Sequence, residues 1–137
     1  MIAIPIGYWL TSPLFIERRA DERLEDIVPK EKVSVISEGT FEGIGLHNAE
    51  GTARLIQIED KFYIRFEDDF QVTNGPDLFV HFGKDGKYVA EARLGALKGN
   101  VGGQNYEVPN NINPRDFNEV WVWCRAFSTP FAKAKII

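Results

Sequence analysis

A single cysteine, Cys124, and two histidines, His47 and His81, are the side chains in this 137-residue sequence best suited to redox or soft-metal chemistry. One Cys with two His is the ligand set of a blue-copper site. Nothing after Cys124 is His or Met, however, and the only methionine is Met1. The compact ligand loop of such sites is therefore missing, and no metal is assigned. No Cys-x-x-Cys-His exists, which excludes the usual covalent haem attachment. Non-covalent haem through Cys124 or a histidine stays open, and the sequence assigns no cofactor. As a bare thiol, Cys124 would need access and an electropositive neighbour. It could then cycle through sulfenic acid or a mixed disulfide. The plainer reading is a buried core cysteine, since Cys is among the residues most often found inside. Arg125 is adjacent but alternates to the other face of a strand.

The other chemistry-bearing groups read as structural. His47 falls in a loop as a surface or turn-capping residue, and His81 lies in LFVHF on the wetter face of a strand. Glu67, Asp68 and Asp69 lack the spacing of an EF-hand and read as a solvated acidic cluster. Asp77 reads as a turn cap. Gly99, Gly102 and Gly103 are followed by no Lys-Ser or Lys-Thr and no helix, so they read as a loop needing positive φ. No Gly-x-Ser-x-Gly occurs, and hydrolase chemistry is not indicated.

The elements that position these residues are strands. VSVIS alternates from Val33, and Gly39 is expected to break it. TARLIQIE and KFYIRF form a hairpin over Ala53 to Phe66. In it Phe62, Ile64 and Phe66 share one face, and Tyr63, Arg65 and Glu67 the wet one. Asn74-Gly75-Pro76-Asp77 is a turn, and Asp85-Gly86 closes a second hairpin between LFVHF and Tyr88 to Leu97. A short strand follows at Tyr106 to Val108. VWVWCRAF and FAKAKII are the last two. In VWVWCRAF, Val120, Val122 and Cys124 share one face and Trp121 and Trp123 the other. Both faces are apolar, so this strand is central or covered on both sides, and burial should dull the thiol. The count is about eight short strands with no long helix, which predicts an all-β, antiparallel β-sandwich.

A chain of this length forms one domain. The net charge of −4 offers no basic stripe, so nucleic acid is not an expected partner. One cysteine forbids an intrachain disulfide and leaves the compartment open. Residues 1–32 read as a leader and residues 33–137 as the β domain. Met1 to Ile16 carries no charge, falls short of the roughly 20 residues of a spanning helix, and contains Pro5 and Pro13. It begins apolar, unlike a signal peptide. It is either the end of a membrane anchor or an apolar arm that packs on the domain. Tyr8 and Trp9 would suit a membrane interface. Glu17 to Lys32 reads as an exposed, charged linker with a helical turn or two.

Four stretches taken in order resemble the DM-thirteen domain family, the electron-transfer domain that accompanies DOMON domains. They are GTFEGIGLHNAEGTARLIQ, FEDDFQVTNGPDLFVHF, LGALKGNVGGQNYEVP and VWVWCRAFSTPFAKAKI, spanning Gly39 to Ile136. Asn74-Gly75-Pro76-Asp77, Asn105-Tyr106 with Pro109, and Trp123-Cys124 followed by Phe127 and Phe131 carry the likeness. The resemblance implies an extracytoplasmic β-sandwich, a redox or electron-transfer accessory domain with Cys124 as its key residue. Cys124 would act as a thiol or as a ligand to a prosthetic group, with a redox protein as partner and a membrane at the N-terminal segment. The alternative is a non-catalytic binding or interaction module whose buried cysteine is structural. A small-ligand or haem carrier with an aromatic-lined interior is the third reading.

Overall fold

The computed structural model describes residues 18–27 and 33–136. The apolar run Met1–Ile16 lies outside the described residues, as do residues 28–32 and Ile137.

Ten strands form among the described residues: β1 Ser34–Gly43, β2 Ala49–Glu50, β3 Thr52–Ile58, β4 Lys61–Phe66, β5 Gln71–Val72, β6 Leu78–Lys84, β7 Lys87–Ala96, β8 Gln104–Glu107, β9 Glu119–Cys124 and β10 Thr129–Lys135. Eight of them join in the order β7-β6-β9-β10-β1-β3-β4-β8, and β2 pairs with β5 apart from them. Every named pairing is antiparallel. The all-β, antiparallel expectation agrees with this. The division into two sheets that a sandwich implies is bridged at β1. Its residues Ser34–Thr40 pair with β3, and Phe41–Gly43 pair with β10. The edge strands β7 and β8 also approach each other. Just past β7, the Lys98 N–H donates to the Tyr106 hydroxyl at 2.9 Å, so the sheet is nearly closed like a barrel.

Gly39 does not break β1, which runs through it. A Cβ there would stand 1.9 Å from the Lys135 carbonyl oxygen. The glycine marks a close backbone approach instead of a strand end.

The interior is packed ring on ring. Phe41 meets Phe66 edge-on at 4.8 Å, and Phe66 lies 4.6 Å from Phe70 and 5.2 Å from Tyr106. Such pairs add to their area burial. Val80, Phe82, Val120, Val122 and Cys124 complete the same cluster from the other half. Among the described residues no helix is long and apolar enough to cross a membrane. The helical pieces among the described residues are single 3-10 turns, Leu24–Asp26 and Pro114–Asp116.

The described start of the charged segment before β1 is not a free linker. Arg18–Glu22 docks on the glycine loop 99–103. Ala20 N–H donates to Val101 O (2.8 Å), Glu22 N–H to Gly103 O (2.9 Å), and Arg18 N–H to Asn100 Oδ1 (2.6 Å). Gly102 has φ of +102°, and a Cβ on Gly99 would stand 2.4 Å from Arg18 O. The loop therefore needs its glycines partly for positive φ, as expected, and partly to admit a passing chain. Gln104, fully buried, braces the loop by donating to Gly99 O and Gly102 O.

Candidate functional site

Cys124 is the last residue of β9 and has no solvent exposure. It points into the core with Val120 and Val122, as the alternation predicts. β9 lies between β6 and β10. Leu78 is the cross-strand partner of Cys124 on β6, and Thr129 its partner on β10. Leu78 also lines a cleft of about 200 Å³ with the Asn74–Asp77 turn, Leu97 and Asn100. The cleft thus reaches the residue opposite the thiol.

The Asn74–Asp77 turn and the end of β9 are tied together. Arg125 N–H donates to Asp77 O at 2.9 Å, and the Arg125 guanidinium pairs with the Asp77 carboxylate. Asp77 is therefore an anchor for the chain just after Cys124, beyond its expected role in the turn. Gly75 packs where a Cβ would come within 2.8 Å of the Phe131 ring. His47 stacks on that same ring, with centroids 3.7 Å apart. Three stretches distant in sequence thus converge at one end of the sheet: His47, the Asn74–Asp77 turn, and the β9–β10 hairpin that carries Cys124 and Phe131. Phe127, by contrast, stands 65% exposed between β9 and β10.

The two histidines form no ligand set with Cys124 among the described residues. His81 pairs with Trp121 in register, and Trp121 lies on the face of β9 opposite the thiol. Among the described residues no three His, Cys, Asp or Glu side chains are grouped to hold a metal ion. The Cys-His-His set thus does not fit a copper ion.

His81 corrects the expectation of a wetter face: it is 3% exposed. Its Nδ1–H donates to Val89 O at 3.1 Å, and Tyr88 meets it edge-on. Burial holds its imidazole below the usual value. The nearby Arg93 adds to that, and the Val89 carbonyl opposes it. In the unfolded chain the ring protonates near 6.5, so below that pH the unfolded state binds more protons and stability falls. The urea midpoint should therefore drop between pH 7 and pH 5, and His81→Gln should flatten that drop. An unchanged slope in the variant would rule His81 out as a source of the acid sensitivity.

Arg65 corrects the same strand-face reading. It is 3% exposed and donates to Glu67 (3.1 Å), Asn105 Oδ1 (3.1 Å), Asp68 (3.3 Å) and the Glu22 carbonyl (2.5 Å). Arg54 bridges Glu38 and Glu67 beside it. The acids at 67–69 are therefore paired, not simply solvated, with Asp69 accepting from Thr52. Burial pushes the Glu22 carboxyl up. The Asn105 N–H, Lys98 and Arg65 outweigh it and hold the group below its usual value. A cleft of about 870 Å³ opens over Arg65, Arg54, Ile56 and the Leu24–Asp26 turn. The Arg54 and Arg65 guanidinium groups in it are already engaged by carboxylates.

Glu119 was not singled out by its sequence. It is 5% exposed and accepts from Gly86 N–H and from the Trp121 indole N–H at 3.0 Å. The signal available was its parity with Trp121 and Trp123. On the same outer face Tyr88 stacks on Trp123, with centroids 3.7 Å apart and planes at 15°.

A family model described as electron transfer DM13 matches residues 40–136. No curated protein and no solved structure matches the chain.

Proposed function

Because the chain belongs to the electron transfer DM13 family, we propose that it is an extracytoplasmic accessory domain for electron transfer, with the Cys124 sulfur as its redox group. The family match over most of the chain carries this reading. The membrane side of the proposal rests on the uncharged run Met1–Ile16, and the partner is a redox protein.

The thiol is fully buried, so open thiolate chemistry in the resting domain is not part of the proposal. The convergence of Cys124, the Asn74–Asp77 turn and Phe131 supports a local opening. Leu78 separates the cleft from the cross-strand position of Cys124. Movement of the Asn74–Asp77 turn that leads into Leu78, the first residue of β6, would open a path to the sulfur while the rest of the sheet stays paired.

The test is the iodoacetamide rate of the native thiol, set against the rate allowed by global unfolding. The open population from global unfolding follows from the stability. A native rate well above that limit is expected, together with loss of electron exchange with a c-type cytochrome in Cys124→Ala. The alanine leaves only a small cavity, costing about 1 kcal/mol, so the fold should survive. Alkylation only at the global-unfolding rate, with exchange intact in Cys124→Ala, would overturn the cysteine-centred reading. The full burial of Cys124 favours the second reading in that event: an interaction module with a structural cysteine.

A further inference from the structure

The outer face of β9 carries a set of side chains that closing the core does not require. Trp121 and Trp123 stand outside the main apolar cluster. Tyr88 stacks on Trp123 and lies 6.5 Å from Trp121, centroid to centroid. The Trp121 indole N–H points at a buried carboxylate, Glu119, at 3.0 Å. That carboxylate is itself fixed by two contacts from the Gly86 N–H. Gly83 leaves the room the indole occupies, since a Cβ there would stand 2.1 Å from Trp121 Nε1. Lys133 Nζ sits 5.6 Å above the Trp121 ring.

We propose that Trp123, Tyr88 and Trp121 form a one-electron relay on the outer face of the sheet, with Glu119 as the proton acceptor of Trp121. This rests on the electron-transfer role proposed above, not on its Cys124 centre, and adds a redox site on the face of β9 opposite the thiol. The co-reactant is a high-potential, metal-centred one-electron oxidant. It takes one electron from Trp123, which is half-buried and therefore reachable. The stacked Tyr88 ring bridges to Trp121, which returns an electron to Trp123. The Trp121 N–H bond then breaks. Its proton passes to the Glu119 carboxylate, forming an O–H bond and leaving a neutral indolyl radical. One electron has left the protein, and one proton has moved between two of its side chains. Re-reduction by one electron from the ferrous haem of a c-type cytochrome, which becomes ferric, with the Glu119 proton returned to the indole nitrogen, closes the cycle.

Two features assign the proton step to Trp121. A general base must lie within hydrogen-bond reach of the proton it takes, and Glu119 does. A cation held over the ring is attracted by a neutral indole and repelled by an oxidised one. Lys133 therefore disfavours a lasting radical cation at Trp121, and loss of the proton relieves that repulsion. Tyr88 has no such acceptor on its hydroxyl among the described residues, which suits a bridge better than a terminus.

The experiment uses the full chain carrying Trp9→Phe, so that Trp121 and Trp123 are its only indoles. The oxidant is photogenerated tris(bipyridine)ruthenium(III), and the radicals are followed by transient absorption and electron paramagnetic resonance. A neutral indolyl radical should form. Glu119→Gln keeps an oxygen for the Gly86 N–H but removes the base, and should slow proton loss about a hundredfold, so that the radical cation accumulates. Trp121→Phe should abolish the neutral radical. Equal rates of neutralisation in Glu119→Gln, or a neutral radical that survives Trp121→Phe, would overturn the proposal. If Glu119→Gln does not fold, the parent chain still decides. Neutralisation independent of buffer concentration supports the internal base, and a rate that rises with buffer overturns it. Absence of the radical while cytochrome exchange persists sinks the relay alone. A working relay in a protein that exchanges electrons with no cytochrome sinks the broader reading.

Discussion

Arg65→Ala should destabilise the domain by roughly 3–5 kcal/mol, the usual loss when one partner of a buried charged group is removed. The guanidinium holds Glu67, Asn105 and the Glu22 carbonyl together at a site that is almost closed to water. Without it, the Asn105 amide oxygen and the Glu22 carbonyl lose their donor, and each unsatisfied buried group carries its own desolvation cost. Arg65→Lys should fall between, because an ammonium keeps the charge but not the planar fork that reaches several acceptors at once. Urea denaturation of the three proteins gives the ordering directly. A loss below about 1 kcal/mol in Arg65→Ala would place the network with surface ion pairs, whose worth is small. The same variant should also loosen the segment before β1, since Arg65 bonds to it through Glu22. Limited proteolysis should then cut around Arg18–Arg23 sooner than in the parent.

The second large effect is expected at Gly39. Gly39→Ala would force a methyl group to 1.9 Å from the Lys135 carbonyl oxygen and 2.6 Å from its carbon. Both atoms are backbone, so no side chain can swing aside. The pairing of β1 with β10 would have to shift, and overpacking of this kind costs roughly 3 kcal/mol. Gly45→Asn is the control. Gly45 has φ of +65° with nothing within 4 Å of its absent Cβ, and Asn tolerates that conformation. Its effect should stay within about 0.5 kcal/mol. Equal midpoints for both variants would mean that β1 and β10 are less tightly apposed than the structure has them.

The turns and hairpins were legible because their causes are local. Asp85-Gly86 closes β6 onto β7, and the hairpin over Ala53 to Phe66 forms as its alternation requires. The burial of Cys124 was legible for the same reason, through its two valine neighbours of like parity. Arg65 and His81 were misread because alternation reports a period and not what covers a face. Arg65 is covered by Glu22, which is 43 residues away in sequence, and His81 by Tyr88 and Trp121. Gly39 was misread as a strand end because its reason lies in Lys135, at the far end of the chain. The convergence of His47, the Asn74–Asp77 turn and Phe131 likewise depends on pairings that single stretches do not announce. Glu119 shows the limit most clearly. A glutamate beside tryptophans reads as a strand-edge charge until β6 and the Gly86 turn enclose it.

The docking of Arg18–Glu22 on the glycine loop has a mechanical consequence. The chain enters the domain through a seam of backbone hydrogen bonds and a parallel bridge between Arg19 and Val101, so Arg18 is no free swivel. Tension applied from the N-terminal side would meet this seam before it reached β1. Turning the domain about that point would mean tearing the segment from its loop. A pull or a fixed attachment there would therefore set which way the Tyr88–Trp123 face looks, much as a bracket bolted at two points aims what it carries.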